Sequence, residues 1–247
     1  MTRLYYPEPL SKDARIVLQE DHVHYLRNVL RQQVGDQVNI FNAHDGEWHG
    51  HISTLTKSHA EISLQQQVRQ PEGESPIMLL FCPLKHDPTH YLIEKCTEVG
   101  VTVFQPIIME RGNIHKINQN KLQRIAIEAA QQCERLSVPE VRELRPLRDV
   151  LKDWPEQIKL SVCAERAFTD KQRLPFAEDL ANNVPAEREG QSRAVTLASL
   201  IGPEGGIHPQ EIELLSNYPF VQFVSLGKNI LRAETAAVVA ATKMVLG

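Results

Sequence analysis

The sequence predicts two domains: a C-terminal α/β domain built on a parallel sheet, and a smaller N-terminal β-barrel. Three observations carry this. From Ile77 onward, short continuous apolar runs alternate with amphipathic segments, as in a sheet covered on both faces. Two late stretches, Leu197 to Gly206 and Phe223 to Thr235, each read as a buried strand, a glycine turn and a helix start. Residues 1–70 instead hold several short strands joined by turns.

Taken in order, Arg15 to Leu18 is a short strand. Asp21 caps a helix with Val23, Leu26, Val29 and Leu30 on one side, and Arg27 and Arg31, four apart, share another face. Val34-Gly35-Asp36 turns into a strand over Gln37 to Phe41, Asp45-Gly46 signals a hairpin, and strands follow near 47–56 and 60–68. Six of the ten histidines lie in this part. His49 and His51 share a strand face, as a metal pair would. No cysteine or further ligand set accompanies them, so solvated barrel histidines are the reading and no metal is expected. Arg3, His24, Arg27 and Arg31 make a modest candidate phosphate patch, with a solvated helix face as the alternative.

Gln70 to Pro76 is polar and contains Pro and Gly, which puts the boundary between domains 1–70 and 76–247. Ile77 to Cys82 is the first buried strand. Asp87-Pro88 starts a helix that buries Tyr91, Leu92, Cys96 and Val99 and ends at Gly100. A strand region follows over 101–109, then a helix from Gln119 to Glu134. On that helix Glu128, Gln132 and Arg135 recur at i, i+4 and i+7, as one face. Segments 138–144, 146–154 and 159–163 continue the alternation, and 181–193 reads as a surface loop. Pro209 opens a helix with Ile212 and Leu215 buried, and of a capping box there only Glu211 is expected to act. The last helix, Ala233 to Leu246, is rich in alanine, which suits close packing or a tight dimer contact.

The glycine turns carry the functional reading. Gly202, Gly205, Gly206 and Gly227 fall beyond the carboxyl ends of two strands, where open α/β sheets bind ligands. Neither a dinucleotide fingerprint nor a Gly-Lys-Ser/Thr phosphate loop is present. The four cysteines are widely spaced and read as reduced thiols of a cytoplasmic protein; no apolar run reaches membrane-span length. The net charge of −4, from 27 basic and 31 acidic residues, requires any nucleic-acid surface to be local.

Gly202-Pro203-Glu204-Gly205-Gly206 with Glu211, followed by Ser225-Leu226-Gly227 and Ile230-Leu231-Arg232-Ala233-Glu234-Thr235, resembles the SPOUT methyltransferases. Within them the chain is similar to the family that methylates uridine N3 in 16S ribosomal RNA. Glu94 to Gly100, Glu110-Arg111 and Gln131 to Arg135 add to the match, although Pro83 to Pro88 lacks the glycine usual before the helix. The resemblance implies a deep trefoil knot, a PUA-like N-terminal barrel, a homodimer, S-adenosylmethionine as methyl donor, and 16S rRNA, within an assembled small subunit, as acceptor. It implies donor binding by Leu200, Ile201, Gly202, Glu204, Gly205, Gly206, Ser225, Leu226, Gly227, Ile230 and Leu231. It points to Arg135, Glu128 and Arg232 for catalysis, and to Arg3, His24, Arg27, Arg31, Arg111 and Gln132 for RNA. Arg135, Arg111 or Arg232 would stabilise charge on the uracil, and Glu128, Glu134 or Glu234 would take its proton. A non-catalytic RNA-binding protein of the same fold is the alternative.

Overall fold

The computed structural model describes residues 1–18, 20–164, 174–175 and 197–246. Its contacts divide the chain into two units, residues 1–73 with 130–138, and residues 74–129 with 139–247.

In the first unit, β1 (Thr2–Tyr5), β2 (Arg15–Val17), β3 (Gln37–Asn42), β4 (Gly46–Leu55) and β5 (Ala60–Arg69) form a mixed sheet in the order β1-β3-β4-β5-β2. β1, which the sequence reading did not foresee, runs parallel to β3, and the other neighbours are antiparallel. Strand alternation gathers Leu4, Val38, Ile40, Ile52, Ile62 and Leu64 into one core with Ile16, Val23 and Leu26. The hairpin between β3 and β4 requires glycine: Gly46 has φ +73°, and a Cβ there would stand 2.1 Å from the Arg69 carbonyl oxygen.

Helix α1 (Glu20–His24) runs into a π-helical turn, Tyr25–Val29, in which the Leu30 amide bonds to the Tyr25 carbonyl five residues back. This wider turn breaks the 3.6-residue period behind the expected amphipathic helix. Val23 and Leu26 are buried as expected, but Val29 is 57% exposed. Arg31 lies beyond the helix at φ +55°, so Arg27 and Arg31 do not share a helix face.

The second unit contains β6 (Ile77–Phe81), α2 (His86–Val99), β7 (Val103–Ile108) and most of α3 (Gln119–Gln132). It continues with β8 (Glu140–Val141), β9 (Arg145–Pro146), α4 (Leu147–Lys152), β10 (Leu160–Cys163) and β11 (Leu174–Pro175). It ends with β12 (Leu197–Ile201), α5 (Pro209–Ser216), β13 (Val221–Ser225) and α6 (Ala233–Leu246). The strands lie in the order β11-β13-β10-β12-β6-β7-β8, with β9 also on β7, and every pairing is parallel.

Side chains of β6 and the residue after it alternate between two cores. Ile77, Leu79 and Phe81 join Leu92 and Cys96 of α2 and Ala237 and Ala241 of α6, while Met78, Leu80 and Cys82 join Leu147, Leu151, Leu215 and Phe220. Burial on both faces is why the strand is apolar without interruption. The alanines of α6 serve this packing: Ala237, Ala240 and Ala241 are fully buried within the chain.

Four local expectations are corrected. Asp87 does not cap α2, which starts at His86 after an extended Lys85, while the Thr89 hydroxyl bonds to both the amide and the carbonyl of Leu84. Tyr91 is 48% exposed, because it falls on the outer side of α2. α3 stops at Gln132, and Glu134 takes φ +63°, so Arg135 is not the third member of a helical row with Glu128 and Gln132. The capping box of α5 is complete, because the His208 ring nitrogen accepts the Gln210 amide while Glu211 reaches back to the His208 amide. The expected surface loop 181–193 lies outside the described residues, as does part of the chain path on which the implied knot depends.

Candidate functional site

Three adjacent strands, β13, β10 and β12, end at one cavity of about 640 Å³. That volume suits a drug-sized ligand. One wall is the loop Ile201 to Ile207, another is the segment from Leu226 through Ile230 to Ala236, and the floor between them is Cys163 and Ala164 at the end of β10. Arg111, after β7, closes one side.

The loop geometry explains the glycines. The Gly206 amide bonds to the Pro203 carbonyl at 2.8 Å, and Gly206 has φ +77°. A Cβ on Gly202 would stand 2.7 Å from Ile207 Cγ1. Across the cavity, the Gly227 amide donates to Ser225 Oγ at 3.3 Å, and that hydroxyl donates back to the Gly227 carbonyl at 3.1 Å. The result is a cradle with main chain on two sides, mostly apolar side chains, and Arg111, Glu204 and Arg232 as its charged lining. These features fit a flat nucleoside carrying an amino-acid tail, as in S-adenosylmethionine.

Glu211 ties the walls together. Its buried carboxylate accepts the Glu110 amide at 2.9 Å and the His208 amide at 3.2 Å. Arg111 is thereby held where its Nη1 donates to the Gly205 carbonyl at 3.1 Å. Burial, with the nearby Glu211 charge, pushes the Cys82 thiol up to about 11, so it stays a neutral core group.

Of the expected donor-binding residues, Ile201, Gly202, Glu204, Gly205, Gly206, Leu226, Ile230 and Leu231 line the cavity. Leu200 does not: it is fully buried in the core on one face of the sheet. Ser225 and Gly227 shape the loop without lining the cavity. Arg232, expected in catalysis, and Arg111, expected on RNA, both stand in the wall, whereas Glu128 lies exposed on α3 and is not part of it. The sequence reading missed Cys163, Ala164, Ile207, Ile212 and Ala236. Cys163 and Ala164 had a signal, since Leu160 to Cys163 is a third buried run ending on the same side of the sheet.

The remaining candidates belong to the first unit. His24, Arg27, Arg31 and Gln132 are exposed. Arg135 donates from Nη2 to Ser137 Oγ at 2.8 Å. Arg3 is a correction: it is not an open phosphate contact but a 7% exposed side chain paired with Glu47. Burial alone would favour the neutral acid at Glu47, but hydrogen bonds from Arg3 and Asn39, with the Arg3 and Arg69 charges, hold that carboxyl below its usual range. His49 bonds to the Asn39 side chain, and among the described residues no group of three or more His, Cys, Asp or Glu could hold a metal. Nor is any described helix long and apolar enough to cross a membrane.

Comparison with known proteins matches this geometry. The family described as RNA methyltransferase domain covers residues 71–245, and an RNA methyltransferase PUA domain covers residues 18–65. The ribosomal RNA small subunit methyltransferase E of Rickettsia conorii is 32% identical over 240 residues, 96% of this chain and 92% of that protein. The protein of the same name from Synechocystis is 35% identical over 233 residues, 92% of this chain and 72% of that one. The crystal structure of ribosomal RNA small subunit methyltransferase E from Neisseria gonorrhoeae, bound to S-adenosyl methionine, superposes with a TM-score of 0.80 at 28% identity, covering 99% of this chain and 96% of that one. A Legionella pneumophila protein described as a putative methyltransferase, in complex with the cofactor SAM, gives 0.81 at 26% identity, over 99% and 97% of the two chains.

Proposed function

Because the chain belongs to the family of ribosomal RNA small subunit methyltransferase E, with a PUA domain ahead of its RNA methyltransferase domain, we propose that it methylates a uridine of 16S ribosomal RNA at N3, using S-adenosylmethionine. The observation that carries this reading is the cavity beyond β10, β12 and β13, whose two glycine-shaped walls fit the donor. No feature favours a non-catalytic protein, since the cradle is intact. Calorimetric titration with S-adenosylmethionine should find one site per chain. A folded protein that takes up none would refute the donor assignment.

When bound, the donor supplies a methyl group already activated on a sulfonium. The residues of this chain then have three tasks. Ile201 to Gly206 and Ser225 to Leu231, the latter shaped by the Ser225–Gly227 hydrogen bonds, hold the donor by main chain and keep its surroundings dry. Arg135, Arg111 or Arg232 meets the negative charge that develops on the uracil oxygens as N3 loses its proton. Glu128, Glu134 or Glu234 accepts that proton. N3 lies on the pairing edge, so the acceptor uridine is unpaired or turned out of its helix. RNA contacts are local, as the charge of −4 demands. His24, Arg27 and Arg31 hold phosphates from domain 1–70, and Arg111 and Gln132 make further RNA contacts.

The acceptor is rRNA within an assembled small subunit, in the cytoplasm, and the enzyme works as a homodimer in which one subunit's N-terminal domain presents RNA to its partner's donor site. The alanine face of α6 is buried in its own chain, so the dimer surface on α6 is its outer side. Tyr91 on α2 and Val245 and Leu246 on α6 are exposed apolar residues suited to it. Sedimentation at micromolar concentration should show two chains, and a lone chain there would remove the dimer from the account.

A further inference from the structure

We propose that Arg3, at the start of the first unit, is a positioning residue for methyl transfer that acts through the main chain of Arg135. This rests on the assignment of Arg135 to the acceptor uracil.

All five N–H donors of the Arg3 guanidinium are engaged. Nε and Nη2 fork onto the Glu47 carboxylate at 2.9 and 3.0 Å. Nη1 donates to the carbonyls of Ala130 and Gln131 at 3.3 and 3.1 Å, and Nη2 also to the carbonyl of Arg135 at 3.1 Å. The Phe41 ring lies beneath, 4.1 Å from Cζ. Ala130 and Gln131 stand in the last turn of α3, whose carbonyls lack helical partners and favour a cation.

A second arginine repeats the device one residue earlier. Arg69 Nη1 donates to the Glu134 carbonyl at 2.7 Å and reaches Glu47 at 3.5 Å. Gln131 is held as well, since its Oε1 accepts the Tyr5 amide at 3.0 Å. The turn that carries Arg135 leaves its helix through the left-handed Glu134. Its carbonyls are therefore pinned at 130, 131, 134 and 135 by β1 and the end of β5, with Glu47 fixing both arginines. Stability alone does not call for a buried pair of this kind, because well-packed apolar groups serve equally well. A rigid planar fork does one thing more: it fixes direction, and hence where the Arg135 side chain starts.

The test is a double-mutant cycle on single-turnover methylation at saturating donor and saturating small subunits. Arg3→Lys keeps a cation beside Glu47 but cannot serve a carboxylate and three carbonyls from one nitrogen. It should slow the chemical step by about 10- to 100-fold, the scale of a misplaced catalytic group, with unchanged donor affinity by calorimetry. In an Arg135→Ala background the same change should cost almost nothing further, because its effect runs through Arg135. If Arg3→Lys fails to fold by circular dichroism, Glu47→Gln replaces it in the same cycle. A parental rate for the Arg3 variant, or full additivity with Arg135→Ala, overturns the inference alone. A parental rate for Arg135→Ala removes the assignment of Arg135 and the inference with it.

Discussion

Gly205→Val is expected to lower S-adenosylmethionine affinity by at least about 100-fold, or about 2.7 kcal/mol, in a protein that remains folded. Gly205 lines the cavity, and its φ is not positive, so the backbone there accepts a side chain without strain. The first added carbon fits: it would stand 3.5 Å from Arg111 Cβ, an ordinary contact. The two methyl groups beyond it have only two directions. They push Arg111 off the Gly205 carbonyl, breaking the 3.1 Å bond that closes this wall, or they enter the cavity. Both outcomes remove space or shape from the donor site, and neither touches the sheet. Calorimetry on the folded variant checks this, and an unchanged affinity would move the donor to another place on the molecule.

Arg135→Ala is expected to slow single-turnover methylation by roughly 10²- to 10³-fold, the usual loss when one donor to a developing oxyanion is removed, with donor affinity intact. Charge on the uracil oxygens grows as N3 is deprotonated, so a guanidinium there matters most in the transition state. Arg27 and Arg31 provide the contrast. They are exposed on and just beyond the π-helical turn, and the contact proposed for them is to phosphate. Changing both to alanine should weaken RNA binding and flatten its salt dependence by about 1–2 units, while the rate at saturating RNA stays near parental. Slow chemistry from the Arg27 and Arg31 pair, with normal chemistry without Arg135, would show the roles of these arginines reversed.

Much of the second unit was legible in the sequence because its strands are buried on both faces. Ile77 to Phe81 is a continuous apolar run and Leu197 to Ile201 is one broken only by the buried Ser199, and the glycines after Ile201 and Ser225 mark where the chain turns beside the cavity. The cavity wall followed from that, apart from Leu200, whose side chain points into the core by strand alternation, and the ledge at Cys163 and Ala164. Helix readings did less well wherever the period changed. The π-helical turn at Tyr25–Val29 turned Val29 outward, and the left-handed Glu134 took Arg135 off the expected row. Neither event has a signature in hydrophobic spacing. Arg3 was misread for a different reason. It was grouped with His24, Arg27 and Arg31 as a basic patch, and its buried partner, Glu47, stands 44 residues away in sequence.

Methylation of uridine N3 by this protein is tested most directly by methyl transfer itself. Small ribosomal subunits that lack the modification are incubated with this protein and methyl-labelled S-adenosylmethionine, and the rRNA is digested to nucleosides. One methyl group per subunit should be recovered as 3-methyluridine, with much less from Gly205→Val at the same donor concentration and time. Label on another nucleoside, or no label from a folded protein that binds the donor, would contradict it.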